Sequence, residues 1–226
     1  MLFIISIVFA AIGGLLSMRL RSKFNHYSQM PLQNGMSGAQ IAGQMLNYYG
    51  IHDVEITQVE GQLTDHYNPQ NKTVNLSYDV YHGRNVAAAA VAAHECGHAV
   101  QHATAYSMLQ FRSAMVPAVT FAAGIQQYLF MGALVGMSYM HNNLLLYITL
   151  IVFGITTLFS LVTLPVEFDA SRRALAWLDG SGAARGEQYN GAKDALFWAA
   201  MTYVAAALAA LIQFLYLLLR AFGSRD

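Results

Sequence analysis

Charge is scarce in this sequence. Lys, Arg, Asp and Glu make up 11% of its 226 residues, against about 25% in an average soluble domain, which argues against a single water-exposed globule. Twelve basic residues balance twelve acidic ones, so there is no net positive field for nucleic acid and no acidic solvating tail. One cysteine, Cys96, excludes an internal disulfide and removes any need for an oxidising compartment. What the sequence has in abundance is apolar residues, 56% of the total.

Those residues gather in long uncharged runs. Residues 2–18 contain no charge and are about long enough to cross ~30 Å of hydrocarbon. Arg19, Arg21 and Lys23 follow the run and no basic residue precedes it, the pattern of a retained anchor rather than a signal peptide. Between Arg112 and Glu167 lie 54 residues, 113–166, without Asp, Glu, Lys or Arg. The polar break 138–143 divides them into two spans, 115–137 and 144–164, forming a helical hairpin. A fourth uncharged run, 195–219, ends at Arg220. Four crossings put 19–112 and 165–193 on one side, with ten of the twelve basic residues. The positive-inside rule makes that side cytoplasmic.

The 19–112 segment reads as a small folded unit. Ser37 and Gln40 form a capping-box pair, and Ile41, Met45 and Tyr49 recur at helical spacing before Gly50. Residues 54–56 and 73–77 alternate as half-buried strands do, with a turn at 68–71, which predicts a small sheet. Asn85 is a candidate N-cap for an alanine-rich helix over 86–108.

That helix carries His94-Glu95-Cys96-Gly97-His98. Residues four apart lie ~6 Å apart along one face, so both imidazoles can reach one ion. Glu95, beside them, can reach a water on that ion without ligating it, the arrangement of a zinc hydrolase. Random ordering of this composition would produce the pattern in roughly 0.6% of shuffles. A catalytic zinc needs a third protein ligand and an open position. Residue 104 is Thr, which excludes the metzincin spacing. His102 extends the histidine row, but three imidazoles over two turns of one straight helix converge poorly. Glu167 and Glu187 are the only glutamates after Glu95. Glu167 lies at a membrane boundary, where a carboxylate needs a cation, either a metal or Arg172 or Arg173. Asp169 is placed to orient a ligating imidazole. His66, Tyr67, His82 and Arg172 are candidate donors to a developing oxyanion, and strand 72–77 is a candidate for binding extended substrate by strand addition.

Leu63-Thr64-Asp65-His66-Tyr67-Asn68-Pro69, Val74-Asn75-Leu76-Ser77, Val80-Tyr81, the Ala-rich helix through Gln101, and Glu167-Phe168-Asp169-Ala170-Ser171 together resemble the YugP-type neutral zinc metallopeptidase family. The likeness spans nearly the whole chain. It implies a bacterial inner-membrane peptidase, distantly similar to the HtpX-like gluzincins, with one Zn2+ on His94, His98 and Glu167 and with Glu95 catalytic. HtpX-like enzymes usually carry an acid three or four residues after the ligand Glu. Here Ala170 and Ser171 stand there, leaving Asp169 or Ser171 as the imidazole's partner.

The expected fold is therefore a mainly α membrane protein of about four transmembrane helices, with a small α+β cytoplasmic zincin-like unit. Its divisions are a first transmembrane helix at 1–18, the zincin-like unit at 19–112, a hairpin at 113–166, a third-ligand helix and loop at 167–193, and a fourth helix and tail at 194–226. The expected activity is zinc-dependent endoproteolysis of membrane or membrane-proximal polypeptides. Cleavage of a non-peptide amide or ester, and a zinc-containing membrane scaffold or chaperone-like subunit, are the alternatives. A structural zinc would be closed by four ligands, and only three good candidates exist. Membrane lipid and polypeptide are the expected partners, with a homo-oligomer or regulatory membrane partner compatible and nucleic acid excluded.

Overall fold

The computed structural model describes residues 2–139 and 144–223. The chain is mainly helical. In order it forms α1 (Leu2–Ser28), α2 (Gly38–Tyr48), β1 (Glu55–Val59), β2 (His66–Asn68), β3 (Thr73–Ser77), α3 (Tyr78–His82), α4 (Val86–Ala103), α5 (Ser107–Tyr139), α6 (Leu144–Gly180) and α7 (Glu187–Phe222). Among the described residues four helices are long and apolar enough to cross a membrane: Ile4–Ser28, Ser107–Leu129, Leu144–Gly180 and Glu187–Phe222. Ser138 and Tyr139, expected in the hairpin connector, end α5. The remainder of that connector, 140–143, and Arg225 lie outside the described residues.

The chain divides into two compact units. The first comprises residues 1–15, 110–164 and 202–226. Its helices turn large apolar side chains outward, including Ile7, Phe121, Ile151 and Leu219, as contact with acyl chains requires. Gly154 packs on the Phe214 ring, with space for a Cβ only 3.3 Å from it, and Thr157 donates to the Ala210 carbonyl at 3.2 Å. Close approach and a hydroxyl bond of this kind hold helices together where no hydrophobic drive separates helix from lipid.

The second unit, residues 16–109 and 165–201, contains the histidine motif. Ser37 caps α2 as expected: its side chain accepts from Gln40 N and Gln40 Oε1 accepts from Ser37 N. Gly50, at φ +68, ends that segment in a conformation costly for other residues. Asn85 caps α4 by accepting from Ala88 N at 2.9 Å. The alanines at 87–90, 92 and 93 are fully buried, because α4 is the central helix and small side chains let its neighbours approach. Lys23 and Tyr27 of α1 both meet Asp194 of α7 at 2.7 Å, and Arg19 lies over the Trp198 ring.

The sheet has three strands in the order β1-β3-β2, with β1 parallel and β2 antiparallel to β3. β3 is buried at all five residues rather than half-buried as its alternation suggested. It is the middle strand, and its polar side chains are satisfied internally. Asn75 bonds Thr57, Thr73 and the His66 carbonyl, and Ser77 is held by Asp65 through its N–H at 2.7 Å and its hydroxyl at 3.1 Å. With both edges occupied, β3 cannot accept a substrate strand. The edge strands of this sheet are β1 and β2.

Several element boundaries differ from expectation: α1 runs to Ser28 rather than 18, α5 begins at Ser107 rather than 113, and α7 begins at Glu187 rather than 194. The motif helix stops at Ala103, not 108, where Thr104 caps it and Ala105 takes φ +51 before α5 begins. Glu167 does not open a separate segment, because α6 continues through Pro165 to Gly180. Apolar surroundings favour retaining every other helical bond around a proline, so the helix persists.

Candidate metal centre

His94 and His98 project from one face of α4, one turn apart, with ring centroids 4.8 Å apart and nearly perpendicular. Glu167, on α6 one residue after Val166, is buried beside them. Its Oε2 lies 3.3 Å from His94 Nε2 and 3.6 Å from His98 Nε2. The possible ligand atoms of the three residues all fall within 4.8 Å of one another. Among the described residues no other trio of His, Cys, Asp or Glu gathers in this way.

The approach of α4 to α6 depends on Gly97. A Cβ at 97 would stand 2.5 Å from the Ala170 carbonyl oxygen and 3.1 Å from its Cα, well inside van der Waals contact. The glycine between the two histidines thus brings the backbone of α6 close enough for Glu167 to reach them. Cys96, on the other side of the helix, is fully buried and contacts the Ala42 carbonyl at 3.6 Å. Burial pushes its thiol pKa up, so it is a packed side chain rather than a reactive thiolate.

Each histidine uses its Nδ1 away from the trio. His94 Nδ1 meets Ser171 Oγ at 3.1 Å, so the residue four places after Glu167 engages an imidazole although it is not an acid. His98 Nδ1 meets Gln101 Oε1 at 3.0 Å. Gln101 Nε2 in turn donates to the Val166 carbonyl at 2.8 Å and to Asp169 Oδ2 at 2.9 Å. Asp169 therefore reaches the histidines only through Gln101, and it also takes Arg172 at 2.5 Å and Arg173 at 2.6 Å. The arginines considered as partners for Glu167 pair with Asp169 instead. Sequence reading missed Gln101. Its signal was a polar residue three after His98, on the same helical face.

Glu95 is buried, and its Oε2 accepts from the main-chain N–H of Tyr67 at 2.9 Å. In the β2–β3 register Tyr67 opposes Val74, and its N–H points away from β3 to the motif glutamate. The Tyr67 hydroxyl meets His102 Nδ1 at 2.7 Å, one turn beyond His98. Burial raises the Tyr67 pKa, keeping the phenol protonated at neutral pH. Other candidates stand apart. His66 Nδ1 bonds the Thr64 carbonyl at 2.8 Å, His82 Nε2 bonds Gln58 at 2.8 Å, Arg172 is largely exposed on Asp169, and Glu187 opens α7 outside the trio.

Two imidazoles and one carboxylate, with both Nδ1 atoms engaged and both Nε2 atoms turned to the carboxylate, make a group that could hold a metal ion. Residues 2–222 match the family described as "Putative neutral zinc metallopeptidase". This chain belongs to that family. Among its relatives is "Putative membrane protease YugP" of Bacillus subtilis (strain 168), 39% identical over 208 residues, covering 92% of this chain and 91% of that protein. No solved structure matches the chain. For a neutral zinc metallopeptidase the His94, His98 and Glu167 trio supplies suitable metal donors, and the four apolar helices accord with a membrane protease as relative.

Proposed function

We propose that this protein is a membrane-embedded zinc endopeptidase of the bacterial inner membrane, crossing it four times and cutting membrane or membrane-proximal polypeptides on the cytoplasmic side. The observation that carries the reading is the position of both Nε2 atoms within 3.6 Å of Glu167 Oε2, with buried Glu95 next in sequence to His94. The concentration of basic residues at 19–112 and 165–193 supports the orientation.

In this reading His94, His98 and Glu167 hold Zn2+, which when bound supplies Lewis acidity toward a water and the scissile carbonyl. Glu95 is the general base. Its Oε2 is fixed by the Tyr67 N–H, so Oε1 takes the proton of the attacking water and delivers it to the leaving amide nitrogen. The hydroxyl adds to the carbonyl carbon, the C–N bond breaks, and one water is consumed per bond. The outer side of β2 borders this carboxylate, and its outward N–H, that of Tyr67, is taken by Glu95 Oε2. The Tyr67 phenol, held by His102, is the donor offered to the developing oxyanion.

The test is zinc per chain and cleavage of an unfolded and a lipid-embedded protein, using full-length protein in detergent. Wild type should hold one zinc and lose cleavage on chelation. His94→Ala and Glu167→Gln should lose both zinc and cleavage, and full zinc in both variants would overturn the site. Tyr67→Phe keeps the N–H that fixes Glu95. It is expected to lower kcat by about 10²-fold with KM and zinc unchanged, and an unchanged kcat would remove the phenol from the mechanism.

A further inference from the structure

We propose that Gln101 is the positioning residue of the metal centre: its side-chain amide fixes the tautomer of His98 and latches α4 to α6 at the spacing the three ligands need. The inference rests on the zinc reading above and adds a residue to it.

The amide's orientation follows from its neighbours. Gln101 is 0% exposed, so each polar atom of its side chain requires a partner inside the protein. One end faces the Val166 carbonyl at 2.8 Å and Asp169 Oδ2 at 2.9 Å. Asp169 is ion-paired with Arg172 and Arg173, so both groups at that end only accept hydrogen bonds. The NH2 must therefore sit there, which turns Oε1 to His98 Nδ1 at 3.0 Å. An amide oxygen cannot donate. His98 must carry its proton on Nδ1, and its lone pair lies on Nε2, the atom facing Glu167.

The same side chain bridges two helices. It leaves α4 and bonds α6 at 166 and 169, on either side of Glu167 in sequence. One residue thus sets both the lone-pair direction of one ligand and the local position of the segment bearing another. A ligating imidazole usually has a carboxylate or carbonyl as its direct partner. Here the carboxylate is one amide removed, and its charge is matched by two guanidinium groups. His98 therefore binds as an imidazole polarised by a neutral acceptor, a weaker donor than one backed directly by a carboxylate.

That difference gives a swap test in the full-length protein. Zinc affinity is read by competition with a chelator, and the thermal midpoint is read on the metal-free protein. Gln101→Leu keeps volume and leaves Asp169 to its arginines. Zinc affinity should fall about 10- to 100-fold, and the metal-free midpoint should fall too, because three buried hydrogen bonds are lost. Gln101→Glu preserves shape but sets a carboxylate against Asp169 and the Val166 carbonyl, so both affinity and midpoint should fall. Adding Asp169→Asn to Gln101→Glu restores a donor at 169 and puts a carboxylate directly on His98. Zinc affinity should return to wild type or become tighter. The inference is overturned if Gln101→Leu binds zinc as wild type does, or if the double variant binds no tighter than Gln101→Glu. A wild-type protein that binds no zinc overturns the metal-centre reading as well, whereas zinc-binding wild type with an unaffected Gln101→Leu overturns this inference alone.

Discussion

Glu95→Gln is expected to keep its zinc and to lower peptide-bond cleavage by about 10³-fold. The amide has nearly the shape of the carboxylate, and Glu95 is not a member of the ligand trio. Its Oε2 accepts from Tyr67 N, and a glutamine oxygen can accept the same bond. Packing and β2 position are thus preserved while the proton acceptor is lost. Matched measurements of zinc per chain and of kcat on one polypeptide separate the possibilities. Wild-type cleavage by Glu95→Gln would assign the base elsewhere. Loss of zinc together with activity would make Glu95 part of the site's framework rather than its base.

The second large effect is expected from Gly97→Val. At this position even the first carbon of a side chain would lie 2.5 Å from the Ala170 oxygen, where carbon contacts settle at about 3.5 Å, so α6 must retreat by roughly 1 Å. Overpacking of that kind costs about 1–3 kcal/mol, offset by only a few tenths because valine is a slightly better helix former than glycine. The metal site suffers more than the fold. Zinc ligand distances vary by only ~0.2 Å, so a shift of α6 that moves Glu167 from the histidines should reduce zinc affinity by more than about 10²-fold. Gly124→Ala is the matched control, because a Cβ there meets nothing within 4 Å. It should leave zinc binding at the wild-type level. Thermal unfolding and chelator competition check both variants. Wild-type zinc affinity in Gly97→Val would show that α6 reaches the histidines without the close approach.

The features legible in the sequence were those set by local rules. The capping box at Ser37 and Gln40 and the Asn85 cap depend on residues three apart, and both form as the spacing required. The apolar runs demand helices wherever hydrocarbon replaces water, since each backbone polar group must be bonded within its own segment. Four such helices are present among the described residues. The i, i+4 geometry put His94 and His98 on one face before any tertiary information was available.

What the linear pattern could not settle was which side of each element meets which neighbour. β3 looked half-buried and available as a docking edge, yet it is the central strand, because a short β2 pairs along its other side. Three residues, His66–Asn68, are too few to announce a strand by periodicity. The sequence left an ion pair with Arg172 or Arg173 as the lesser alternative for Glu167, and only the fold shows the arginines on Asp169 and the glutamate between two imidazoles. Gln101 had no motif to mark it, because its meaning depends on Val166 and Asp169, more than sixty positions away in the chain. The sequence by itself determined the helices, the two-histidine face and the glutamate adjacent to it. The tertiary structure decided which carboxylate stands beside the imidazoles, the partners of both Nδ1 atoms and the strand that borders Glu95. Local periodicity fixes the direction of a side chain relative to its own helix, whereas a metal site needs convergence of separate elements, and at Gly97 that convergence depends on the absence of a single Cβ.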